Sequence, residues 1–157
     1  MTLPPTWDLF GEDHLPHHVL LLAKMLDRET ARQLQAEFDL KLAEWRVLAF
    51  ACSKGPASAA DVCAAFEVDR AEVSRAVASL QRAGLIERTA DGENRRRLFL
   101  MPTMPGRQLF EAARARRQDY FHAVMLSLDE SERHALAASL RKLALGVARG
   151  RGQDGGG

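Results

Sequence analysis

Arginine and serine recur along one stretch of this chain: Arg70, Ser74, Arg75, Ser79 and Arg82, then Arg88, then Arg95, Arg96 and Arg97. A guanidinium offers N–H donors in a planar fork that fits phosphate oxygens or the edge of guanine, and a hydroxyl can donate or accept. Groups of this kind hold polyanions and read base edges; they make or break no bonds by themselves. Reaction chemistry is not indicated elsewhere either. No Ser-His-Asp spacing, paired-carboxylate cleft or glycine-rich phosphate loop stands out, so the chain does not read as an enzyme and no cofactor is expected.

The elements that must position these side chains can be read outward from Asp69. Asp69-Arg70-Ala71-Glu72 has a capping-box pattern, and Val73, Val77 and Leu80 form the apolar stripe of the helix that follows. That helix stops at Gly84. Leu85–Thr89 reads as a short strand, Asp91-Gly92-Glu93-Asn94 as a turn, and Leu98–Met101 as the returning strand, with Arg95–Arg97 on the hairpin. A helix of this type fits the DNA major groove, and a basic loop beside it reaches the backbone or the minor groove.

Around this centre the pattern predicts further helices. The first runs from Leu15 to about Phe38, with Pro16 in its permissive first turn; its middle, Val19–Leu26, is apolar on nearly every side and calls for a partner chain. The second covers Leu42 to Cys52 and ends at Ser53-Lys54-Gly55-Pro56. The third starts at Ser58 with Asp61 and ends at Phe66. Thr103 caps a fifth helix reaching about Leu126, with Pro105 in its first turn. Asp129 and Glu132 box the start of a sixth, where Leu136, Leu140, Leu143 and Val147 form a coiled-coil-like seam. The glycine-rich tail 149–157 is expected to be disordered. The fold class is therefore mainly α with a small β-wing: a winged helix-turn-helix core at 42–102 between long dimerisation helices at 15–40 and 104–148, within one domain over 1–157.

Composition agrees with a globular chain: 157 residues, 46% hydrophobic and 27% charged. Net charge is only +1, but it is segregated. Residues 1–44 carry eight acids against four bases, and residues 82–117 carry nine arginines against four acids, which suggests one face for a polyanion. The first twelve residues lack the apolar run of a signal peptide, and Val47–Cys52 is too short to span a bilayer, so a cytoplasmic location without membrane contact is the expectation. Cys52 and Cys63 make neither a disulfide framework nor a zinc spacing.

In their order these landmarks resemble the MarR (multiple antibiotic resistance regulator) family. They are Trp45-Arg46-Val47-Leu48, Gly55-Pro56, Val68-Asp69, Val73-Ser74-Arg75, Gly84-Leu85-Ile86, Arg88, Asp91 with Arg95-Arg96, and Thr103 with Gly106. The resemblance spans about residues 15–148. Two positions depart from it: Asn94 stands where the family's wing usually has aspartate, and Pro102-Thr103 replaces the usual Leu-Thr.

The resemblance implies a homodimer that places two recognition helices in adjacent major grooves of a pseudo-palindromic operator, with half-sites about 10 bp apart. Arg70, Ser74 and Arg75 are the base-edge candidates. Ser58, Ser79 and Arg88 would hold phosphates, and Arg95 or Arg96 would enter the minor groove. Arg75 has a second reading as an ion-pair partner of Asp91 or Glu72, and the wing arginines as an ordinary solvated turn. The resemblance also implies an apolar ligand pocket between the dimer helices and the core. Here its wall would use His14, His18, Leu21, Trp45, Arg46 and Phe50, which suits an aromatic carboxylate and a repressor released by it. The competing reading makes Trp45 and Phe50 plain core and the histidines a surface patch. Alternatives at the level of function are a metal- or redox-responsive regulator, using the histidines with Glu12 and Asp13 or the two cysteines, and a protein-interaction module that does not read DNA.

Overall fold

A computed structural model of the protein describes residues 3–11, 14–90 and 98–153, the last four of them as backbone alone. The element order is α1 (Leu15–Phe38), α2 (Leu42–Lys54), α3 (Ala59–Phe66), α4 (Arg70–Arg82), β1 (Ile86–Ala90), β2 (Leu98–Pro102), α5 (Met104–Met125) and α6 (Glu130–Gln153). Among the described residues this is a helical chain with one two-stranded antiparallel sheet, the mainly α architecture with a small wing. The chain divides into two compact units, Met1–Ala115 and Arg116–Gly157.

In the first unit the core is built where the apolar stripes of α2, α3 and α4 meet the sheet. Leu34, Leu40, Val47, Leu48, Val62, Val73, Val77, Leu80, Ile86, Leu100 and Phe110 are buried, and Val47, Leu48, Val62 and Val77 have no exposed surface. Burying a side chain of that size is worth about 1.5–3 kcal/mol. The helix starts are capped. Ser58 Oγ accepts the Asp61 amide at 3.3 Å while the Asp61 carboxylate accepts the Ser58 amide at 2.8 Å, and Asp69 accepts the amides of Ala71 at 2.7 Å and Glu72 at 3.2 Å. Each cap is worth about 1 kcal/mol. α1 and α3 end on Asp39 and Glu67, both in the left-handed conformation.

The strands pair from Ile86↔Pro102 to Ala90↔Leu98. A single bridge, Ala57↔Leu100, adds the segment before α3 to the sheet, and the Leu100 amide donates to the Ala57 carbonyl at 2.8 Å. This bridge pairs residues far apart in sequence, and the turn chemistry around Gly55-Pro56 carries no trace of it.

The start of α5 is keyed to the end of α4. Thr103 Oγ1 donates to the Gly84 carbonyl at 2.7 Å and accepts the Gly106 amide at 3.2 Å, and the Thr103 amide donates to the Leu85 carbonyl at 3.0 Å. Gly106 lies so close that a Cβ there would sit 2.0 Å from the Leu85 carbonyl oxygen. Only glycine permits that approach.

In the second unit, Asp129 and Glu132 form the expected reciprocal cap of α6, each accepting the other's amide at 2.8 Å. α6 differs from expectation at its other end: it continues past Ala148 to Gln153 instead of giving way to a disordered tail at Arg149. Isolated glycines cost a helix only about 1 kcal/mol each, and Arg149 suits the negative end of the helix dipole. Residues 154–157 lie outside the described part. The seam residues Leu136, Leu140, Leu143 and Val147 are all exposed, Leu143 at 54%. The N-terminal half of α1 is likewise bare, with Leu15, Val19, Leu20, Leu22 and Met25 exposed.

Candidate nucleic-acid interface

α4 separates its two jobs by face. Val73, Ala76, Val77 and Leu80 anchor it in the core, while Arg70, Ser74 and Arg75 are exposed and Ser79 is half-buried. The Asp69 cap fixes where the helix begins, so the rotational position of each outward side chain is set by the buried stripe. Arg75 makes no ion pair with Glu72; its other suggested partner, Asp91, lies outside the described residues. Arg70 and Arg88 are also exposed without an ion-pair partner among the described residues. Ser58 is partly buried at the cap of α3, where its hydroxyl donates to the Asp61 carboxylate at 2.8 Å. The hydroxyl proton of Ser58 is thus already used. Arg95, Arg96 and Asn94 fall in residues 91–97, outside the described part.

A groove of about 950 Å³ runs along α4 beside the start of α2. Its walls include Lys41, Leu42, Ala43 and Glu44 on one side and Glu72, Arg75, Ala76, Ser79 and Arg82 on the other. Arg82 is visible in the sequence as one more arginine of the recognition helix, two turns beyond Arg75. Nothing in the sequence connects Lys41 to it, because that pairing depends on how α2 crosses α4. Glu44 is buried, and its carboxylate accepts the Lys41 backbone amide at 2.8 Å, closing the first turn of α2.

The six residues expected to line a ligand wall are engaged in separate local contacts. His18 stacks on Trp7, with ring centroids 4.6 Å apart and planes 11° from parallel, and its Nε2 lies 2.9 Å from the Trp7 carbonyl. His14 Nδ1 accepts the His17 amide at 3.3 Å, and its ring packs against Phe10. The histidines thus tie the N-terminal segment back onto the first turn of α1. Trp45 stacks on Phe110 at 5.5 Å, Phe50 meets Phe66 edge-on at 6.1 Å, and Leu21 is partly exposed. Arg46 donates to the Asp27 carboxylate at 3.0 Å, joining α2 to α1. The groove beside α4 and the smaller one near Phe38 and Leu109 are lined by other residues.

The titratable groups add two facts. Burial pushes the Cys52 thiol up, against the opposing charge of Arg107 and with that of Glu111, which works against a reactive thiolate. Glu29 is held at about 2, first by the hydrogen bond from Arg32 and then by the Gln33 amide and the Arg32 charge, against partial desolvation. The described His, Cys, Asp and Glu side chains form no group of three that could hold a metal ion, and no described helix is long and apolar enough to cross a membrane.

Comparison with known proteins places this arrangement. Residues 38–97 match the model of the MarR family. A MarR/EmrR family transcriptional regulator from Acinetobacter sp. ADP1 superposes with a TM-score of 0.77 at 24% identity, over 87% of this chain and 96% of the other. A putative MarR family regulator from Listeria monocytogenes, solved with a 26mer DNA, gives 0.75 at 25% identity over 88% and 91%. MepR of Staphylococcus aureus, solved as a DNA complex, gives 0.75 at 21% identity over 87% and 99%. No curated protein sequence matches the chain. Residues 38–97 thus match the MarR family model, and the chain shares the winged helix-turn-helix fold of solved MarR family regulators.

Proposed function

We propose that the protein is a transcription regulator that binds double-stranded DNA as a homodimer and inserts α4 into the major groove. The observation that carries this reading is the division of α4: a buried Val73, Ala76, Val77 and Leu80 face fixes the helix while Arg70, Ser74 and Arg75 stand exposed. Two structures of the same fold were solved on DNA. Within this reading Arg70 and Ser74 address base edges, Ser79 and Arg88 address phosphates, and the first-turn amides of Ala59 and Ala60, behind the Ser58 cap, address one more phosphate. Arg95 and Arg96 are assigned to the minor groove on sequence grounds.

The homodimer is supported by the exposed leucines of α1 and, separately, of α6, apolar stripes at helical spacing that a second chain would cover. Two-fold assembly gives two recognition helices and a pseudo-palindromic site. Control is assigned to a small aromatic acid that shifts the dimer away from the DNA-competent spacing, with repression as the ground state. Arg46 is the acid-binding group in this scheme, since a ligand carboxylate would compete with Asp27 for its guanidinium.

A gel shift of genomic fragments at fixed salt, with and without phenolic and benzoic acids, tests both levels. Binding to no duplex would refute the DNA reading. Binding that no aromatic acid alters would refute the effector and leave the regulator intact.

A further inference from the structure

We infer that the groove between α2 and α4 is a track for the DNA backbone, gripped by Lys41, Arg75 and Arg82, so that Arg75 holds phosphate instead of reading a base. This rests on the DNA-binding reading above and gives a role to Lys41, which no motif had implicated, and to Arg82, which the sequence offered only as one more arginine of the recognition helix. Arg75, Ser79 and Arg82 stand at i, i+4 and i+7, one stripe of α4, and all three line the groove. Arg70 and Ser74 do not line it. The recognition helix therefore presents two different strips, one beside α2 and one away from it.

The chemistry of the groove suits a polyanion. Lys41, Arg75 and Arg82 are exposed, and none of their side chains is ion-paired among the described residues. Of the two acids present, Glu44 is buried with its carboxylate on the Lys41 amide, which leaves Glu72 as the opposing charge near the start of α4. Between these groups the lining includes the small side chains of Ala43, Ala76 and Ala78. At about 1.5 Å per residue the stripe from Arg75 to Arg82 is about 10 Å long. A stripe of that length can meet more than one phosphate of a DNA strand. No aromatic side chain among the described residues lines the groove, so a ligand ring would have nothing to stack on, which favours an extended strand over a compact organic ligand.

The test compares the full chain with Lys41→Ala, Arg82→Ala, Arg75→Ala and Arg70→Ala for binding to a random-sequence duplex pool across a salt series. All four positions are exposed, and unchanged melting temperatures will show that the variants fold. Each of Lys41→Ala, Arg82→Ala and Arg75→Ala should weaken binding equally for all sequences and flatten the slope of log affinity against log salt by about 1. Lys41→Arg should restore the slope. Arg70→Ala should instead change which sequences the pool yields. The track is overturned if Lys41→Ala and Arg82→Ala keep the parental affinity and slope while Arg70→Ala weakens binding, a result that leaves the DNA reading standing. A changed sequence preference in Arg75→Ala would overturn its assignment to phosphate. If the unaltered chain binds no duplex, the track and the DNA reading fall together.

Discussion

The reading head and the long arms solve opposite problems with similar residues. In the head, valines and leucines of α2, α3 and α4 vanish into a shared core, and Val77 is 0% exposed. On α6 and the first half of α1, leucines at helical spacing stay in water, with Leu20 at 62%. The same apolar periodicity therefore means a finished core in one place and an unfinished surface in the other. A stripe specifies burial but not the molecule that provides it. The head is complete within one chain; in the proposed homodimer a second chain would complete the arms.

The sharpest way to break that contrast is in the arms. Leu140→Glu combined with Leu143→Glu should convert a dimer to a monomer in light scattering, and a chain that is already monomeric at micromolar concentration would remove the contrast altogether. In the head, Leu48→Ala should cost about 3 kcal/mol in chemical denaturation, as expected for a fully buried leucine. Gly106→Ala follows at about 2 kcal/mol, because its Cβ would collide with backbone and force α5 away from Leu85. Asp69→Ala should cost about 1 kcal/mol by uncapping α4, and should weaken DNA binding beyond that as the first turn frays.

The smallest effect is one of pH. The Glu29 carboxyl is held at about 2 in the folded chain, below its usual 4.5. Its contribution is therefore present in full above pH 4.5 and is lost as pH falls toward 2. Arg32 is largely in solvent, so the pair is worth about 0.5 kcal/mol at neutral pH. Glu29→Gln should be less stable by that amount at pH 7, and the gap should close between pH 4.5 and 2. A gap that persists at the acid end would mean that the pairing with Gln33, not the charge, is what matters.

What the sequence disclosed and what it hid follow one line. Local signals were legible: Pro16 and the apolar run bounded α1, Ser58 with Asp61 announced α3, and Asp69 announced α4, each at the position found. The exposed strip of α4 could be read because its buried strip could. Features made by distant segments meeting were not legible. The Ala57↔Leu100 bridge, the Lys41 wall of the groove and the ion pair between Arg46 and Asp27 all depend on tertiary placement. The stacking of Trp7 on His18 is of the same kind, a contact that requires knowing where the N-terminal segment folds. The continuation of α6 to Gln153 shows that a glycine-rich composition need not end a helix already under way.

Thr103 and Gly106 have a mechanical consequence. Thr103 holds the Gly84 carbonyl through its hydroxyl and the Leu85 carbonyl through its amide, and Gly106 brings the first turn of α5 against that same carbonyl with no room for a methyl group. The joint has almost no backlash. A twist applied to the first turn of α5 reaches the C-terminal end of α4 as a twist, not as a slackened loop, so a long helix can act as the handle of the reading head.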